Sequence, residues 1–212
     1  KIHTIDPTFN VFKFDTENKG DFSQILNLSK FDEIDFPERE LPFVIEVLEI
    51  LDTDLIKQKL QNPITEITID NVFDYIKKHK RYPKIYQTQL EDDINFISSN
   101  FFIICESKVE DLKKLNIDTF VKILNNSKLK LSTEDQLLKL INELYSFDPK
   151  YAILYEFVYF QNSSAQLMSE FIKTFNFNDI TSMIWTRLSS RLQEEINQIN
   201  TETSRYNKKY FP

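Results

Sequence analysis

Glycine occurs once in 212 residues, at Gly20. Glycine is the residue that populates positive φ at no steric cost and lets backbone approach closely. A chain with a single one cannot be built from many tight turns. A glycine-rich nucleotide cradle, which needs several glycines within a few residues, is excluded. What the chain carries instead is apolar side chains at helical spacing. With 41% hydrophobic and 28% charged residues it can fill a core and keep a wetted surface. Its 19 Phe and 9 Tyr argue against disorder.

Residues 1–30 are the least helical. Phe9 and Val11, with Phe12 and Phe14, give a short alternating stretch, and Asn18, Lys19 and Gly20 give a turn signal. Ile25, Leu26 and Leu28 are expected to form a second short strand. From about residue 37 the period becomes helical. Leu41, Val44, Ile45, Leu48 and Leu51 predict a helix over 38–51, with Pro37 and Pro42 at its start, where a missing N–H costs little. Thr53 caps a short helix over 54–60, stopped by Asn62 and Pro63. Thr68 or Asp70 caps the next, with Ile69, Val72, Phe73 and Ile76 as its stripe. Leu90, Ile94, Ile97 and Phe101 predict one helix over 90–105.

A short piece over 111–115 follows, and Asp118 caps a helix over 119–124 with Phe120, Val121 and Leu124 inward. Ser132 and Asp135 read as a capping box opening a helix over 133–145, with Leu137, Leu138, Ile141 and Leu144 on one face. Pro149 opens another through 160. Ser163 or Ser164 caps 165–175, and Asn178 or Asp179 caps 180–199, striped by Ile184, Leu188 and Leu192 and extended by Ile196 and Ile199. Short connections between short helices predict stacked antiparallel hairpins. Three segments emerge: 1–63, 64–199, and a tail over 200–212 that reads as a linker.

The net charge of −7 is a poor match for nucleic-acid phosphates or anionic membranes. The single Cys105 allows no intramolecular disulfide and no cysteine-based zinc site, and reads as a buried apolar side chain. No apolar run reaches membrane-spanning length, and the cysteine usage points to a cytoplasmic location. Walker, Rossmann and His-Glu-x-x-His patterns are absent, and no cofactor or metal is expected. His3 is near a chain end. His79, among Lys77, Lys78, Lys80 and Arg81, reads as a surface residue. Glu91, Asp92 and Asp93 read as a solvated cluster near a helix N-terminus. The basic run, followed by Tyr82, Pro83 and Tyr86, reads first as a helix C-terminus favoured by the dipole, then as a patch for a protein partner, and last as a nucleic-acid contact. The Asn-x-Ser/Thr triplets at Asn27, Asn125 and Asn162 read as chance, and Trp185 as core.

The segment over 71–144 resembles a BACK domain, the helical module that follows a BTB domain in cullin adaptors. The residues that carry the likeness are Ile94, Asn95, Phe96 and Ile97 at the end of one helix. Leu112, Leu115, Phe120 and Leu124 then give the spaced leucine-type stretch. The run Leu129, Lys130, Leu131, Ser132, Thr133, Glu134 and Asp135 follows where the family has L-x-V-x-S-E. Leu144 stands where many BACK domains have Trp, and fewer residues precede the segment than a whole BTB domain needs. Residues 185–192 and 204–212 are similar to BTB-BACK-like proteins of parasitic protists with AT-rich genomes.

The resemblance implies a mainly α fold of BACK-like stacked hairpins with a small N-terminal α+β BTB-like remnant. It also implies a non-enzymatic interaction scaffold, an adaptor in cullin-type ubiquitin-ligase assembly. The alternative is a structural subunit held in a large cytoskeletal or axonemal assembly. Candidate partner-binding residues are Phe36 and Phe43, as anchors or as core, with Lys77, Lys78, Lys80, Arg81, Tyr82 and Tyr86. The partners are proteins, with no nucleic acid and no membrane.

Overall fold

A computed structural model describes residues 15–30, 39–51, 66–81, 83 and 86–193. The chain divides into two compact units, Lys1–Glu66 and Ile67–Pro212. Among the described residues the fold is mainly helical, with no strand. The alternating stretch around Phe9 and Val11 and the helix over 54–60 lie outside those residues.

The first unit pairs α1 (Phe22–Lys30) with α2 (Leu41–Leu51). The strand expected at Ile25 and Leu26 is therefore a helix. Asp21 supplies the reason: its carboxylate accepts from the Ser23 backbone N–H at 2.9 Å and from the Ser23 hydroxyl, a local bond that starts a helix. Ile25 packs with Phe43, Val44, Val47 and Leu48, while Leu26 stays outside. Period two would have sent both Ile25 and Leu26 to opposite faces just as well, which is why so short a segment misleads. The turn expected around Asn18 is tied down by Glu46, whose carboxylate accepts from the backbone N–H groups of Glu17 and Asn18. Those bonds, led by the one from Asn18, hold the Glu46 carboxyl below its usual range. The lone glycine sits where a Cβ would run into the Phe43 ring.

The second unit is a stack of α3 (Val72–Arg81), α4 (Gln87–Ser99), α5 (Phe101–Ser107), α6 (Val109–Lys113), α7 (Ile117–Leu124), α8 (Glu134–Phe147), α9 (Ala165–Thr174) and α10 (Ser182–Gln193). Three 3-10 segments, Pro149–Phe157, Phe160–Asn162 and Phe177–Asp179, connect them. One continuous core joins Val72 and Ile76 of α3 to Phe171 of α9 and Ile184 of α10.

The single helix expected over 90–105 is broken at Asn100. Three successive polar side chains bond back to carbonyls four residues earlier: Ser98 to Ile94, Ser99 to Asn95 and Asn100 to Phe96. Such back-bonding bends and weakens a helix. The groups freed at the break are taken up by Lys130, whose N–H donates to the Ser98 carbonyl at 2.9 Å and whose carbonyl accepts from Phe102 at 3.1 Å. The apolar stripe survives the break, with Ile94, Ile97 and Phe101 buried.

Caps also move. Asn116 caps α7 in place of Asp118, and Thr133 caps α8 in place of Ser132. The Asp135 carboxylate serves the Ser164 backbone N–H at 2.7 Å instead of closing a capping box. Ser164 caps α9. The helix expected from Pro149 is a 3-10 run, and α10 starts at Ser182 behind Thr181, whose hydroxyl accepts from the Ile184 N–H. Its stripe holds at Ile184 and fails at Leu192, which is exposed; Ile196 and Ile199 lie outside the described residues.

Candidate functional site

The basic run ends α3, as the dipole favours, but it does not form a uniform solvated patch. Lys77, Lys78 and Arg81 are exposed. The Lys80 ammonium is drawn inward to donate to Asn116 Oδ1 at 2.6 Å and Thr119 Oγ1 at 2.8 Å, and burial pulls its proton affinity down. Tyr86 is buried, with Lys78 Nζ 5.6 Å from its ring centroid, so it supports the helix end instead of offering a free platform. Phe43 belongs to the core of the first unit and is not an exposed anchor. Phe36 and Tyr82 lie outside the described residues.

His79 is the principal correction. It is 8% exposed, and its partner Asp93 is fully buried, where the sequence placed both at the surface. His79 Nδ1 lies 2.6 Å from Asp93 Oδ2. The imidazole is stacked on Tyr75 at 5.7 Å and tilted against Tyr86 at 4.9 Å. Positions 72, 76 and 79 form a single face of α3, and positions 90, 93, 94 and 97 form the facing stripe of α4. That spacing, and not the charge run, was the signal that could have found the pair. Burial pushes the Asp93 carboxyl above its ordinary value; the bond to His79 pulls the other way and nearby Asp92 adds to the rise. Asp93 Oδ1 has no partner among the described residues. An aspartate that fixes an imidazole is chemically an orienting pair. Here two tyrosine rings and full burial make it a brace between α3 and α4.

Cys105 is half-buried by residue, and burial pushes its thiol far above the usual range, which makes the sulfur a poor nucleophile. Among the described residues no group of three or more His, Cys, Asp and Glu side chains is placed to hold a metal ion. No described helix is long and apolar enough to cross a membrane.

A second feature was invisible in the sequence. A cleft of about 380 Å³ opens between the end of α7, the 3-10 segment at Glu156 and the exposed side of α10. Phe157 and Met183 give it an apolar side above the buried Leu124 and Leu129, and Asn125, Asn126 and Ser127 give it a polar lip. Arg187 lies across Tyr159, its guanidinium carbon 4.2 Å from the ring centroid, and Nε donates to the Glu156 carbonyl at 3.3 Å. Thr181 Oγ1 donates to Glu156 Oε1 at 2.6 Å. One turn on, Arg191 Nη1 donates to the carbonyls of Phe160 and Ser163 at 2.5 and 2.6 Å, closing the 3-10 turn.

Several large apolar side chains of the second unit are left exposed. Phe147 is 87% exposed, Phe177 75%, Leu192 72% and Trp185 55%. Trp185, expected in the core, points outward because Ile184 takes the inward position of that turn. No family model matches the chain, and no curated protein and no solved structure matches it either.

Proposed function

We propose that this chain is a protein–protein interaction scaffold of BTB-BACK type that works by position and not by catalysis. The observation that carries the reading is the number of large apolar side chains left exposed, Phe147, Phe177, Trp185 and Leu192 among them. Where such side chains adjoin on the surface, they mark places that meet other proteins. The short helical hairpins beneath them give a rigid support. Within that reading, the BACK resemblance over 71–144 makes adaptor work in cullin-type ubiquitin-ligase assembly the first role.

The same exposed side chains favour a second role, a subunit built permanently into a cytoskeletal or axonemal assembly, because obligate interfaces are the more apolar ones. Affinity purification of the tagged full-length protein from its native cell separates the two. Cullin and ring-type ligase components in the eluate support the adaptor. Tubulin or ciliary proteins support the subunit. A chain that co-purifies with nothing, and that gel filtration shows as a soluble monomer, overturns both.

A further inference from the structure

We propose that the Arg187 cleft is a docking site for a short acidic segment of a partner protein, one in which a carboxylate side chain stands beside a large apolar residue. The inference rests on the scaffold reading and assigns it a contact point.

An arginine on a surface helix ordinarily samples many rotamers, and ordering it on binding costs affinity. Arg187 is already held. Its Nε is tied to the Glu156 carbonyl and its plane lies on Tyr159. What remains is the edge formed by the two terminal nitrogens, and these make no hydrogen bond or ion pair among the described residues. That edge matches a carboxylate bidentately, a geometry lysine cannot reproduce. The Glu156 carboxylate does not fill this role: Oε1 is occupied by Thr181, and no ion pair joins it to Arg187.

The adjoining surface sets the second half of the ligand. Leu124 and Leu129 are buried beneath the cleft, and Met183 lines it while half exposed. Met adapts to differently shaped apolar groups, a property of surfaces that accept several sequences. One guanidinium edge beside Phe157 and Met183 fits one carboxylate with an apolar neighbour. It does not select a polyanion such as nucleic acid, which needs several cations along a track. The other oxygen of Glu156, a lining residue of the same cleft, has no partner among the described residues and can accept from a main-chain N–H of the bound segment.

The test is panning of a phage-displayed random peptide library on the immobilised full-length protein, followed by fluorescence anisotropy with the enriched peptides. The expected result is enrichment of sequences with Asp or Glu within two positions of a large apolar residue. Arg187→Lys, which keeps the charge and removes the fork, is expected to weaken binding at least about tenfold. Met183→Glu, at a half-exposed position where folding is not at stake, is expected to weaken it by at least as much. Lys173→Ala, on the exposed side of α9, leaves it unchanged. Absence of enrichment, enriched peptides without an acidic residue, or binding indifferent to Arg187→Lys and Met183→Glu would overturn the proposal. The two failures are separable. If the Arg187→Lys chain still co-purifies with the native partners, only the cleft is refuted; if the unaltered chain captures none, the scaffold reading falls.

Discussion

At one end of the second unit α3 and α4 bury an ionisable pair, His79 and Asp93; at the other, α8 and the 3-10 segment bury a neutral pair, Tyr155 and Asn142. The two are alike in geometry. Asp93 Oδ2 lies 2.6 Å from the imidazole and Asn142 Oδ1 accepts from the Tyr155 hydroxyl at 2.9 Å. Among the described residues each leaves one polar atom without a partner, Asp93 Oδ1 and Asn142 Nδ2. They differ in surroundings. Tyr155 is the hub of an aromatic cluster, with Tyr145, Phe171 and Phe175 centred 5.6, 4.9 and 5.2 Å away. Its hydroxyl is pushed above its ordinary range by burial and stays protonated at any physiological pH. The lesson is that ring packing makes the aromatic end indifferent to pH, whereas the helical end carries a proton equilibrium inside its brace.

The largest effect that sharpens this contrast is expected from Tyr155→Ala. It empties the centre of the cluster and should cost about 3–5 kcal/mol in urea unfolding. Next is Asp93→Ala, which leaves a buried imidazole nitrogen unpaired and should cost about 1–3 kcal/mol at neutral pH by the same measurement. Tyr155→Phe keeps the rings and removes only the hydroxyl, so a smaller loss of about 1 kcal/mol is expected. A loss as large as that of Tyr155→Ala would make the hydrogen bond, not the packing, the main support of the aromatic end.

The pH dependence comes below these. Because the folded protein raises the Asp93 carboxyl above its ordinary 3.8, the native state binds that proton more tightly than the unfolded chain. This contribution to stability is complete below 3.8 and is lost as pH rises through the elevated folded value. Denaturant midpoints measured from pH 3 upward should show Asp93→Asn gaining on the unaltered chain as pH rises, while Tyr155→Phe runs parallel to it. Parallel behaviour of Asp93→Asn would show that the carboxyl is not perturbed. The smallest effect is expected from the double replacement His79→Phe with Asp93→Leu. Two apolar groups of similar volume remove both desolvated partners together, so the change should fall well below that of Asp93→Ala.

The sequence made the apolar stripes legible because they depend on one period over a long window. Ile94, Ile97 and Phe101, and Leu137, Leu138 and Ile141, are all inside. What it concealed were competitions decided by single side chains. The break at Asn100 was hidden because Ser98, Ser99 and Asn100 do not disturb an apolar pattern. The helix at Ile25 was hidden because three apolar residues fit two periods. Among the site residues, the charges flanking His79 masked its place on the Val72–Ile76 face. The Arg187 cleft joins three segments far apart in the chain, and no local pattern encodes it.

The fastening of Lys130 into the gap between α4 and α5 has a mechanical consequence. The connector from Asn125 to Leu131 forms one lip of the Arg187 cleft, and through both peptide groups of Lys130 that lip is bolted to the middle of a two-part rod. A load applied at the lip therefore reaches the interior through main chain as well as through the Asn126–Asn95 side-chain bond. Lip and rod must yield together, and the amides of Lys130 and Phe102 would exchange with solvent as one.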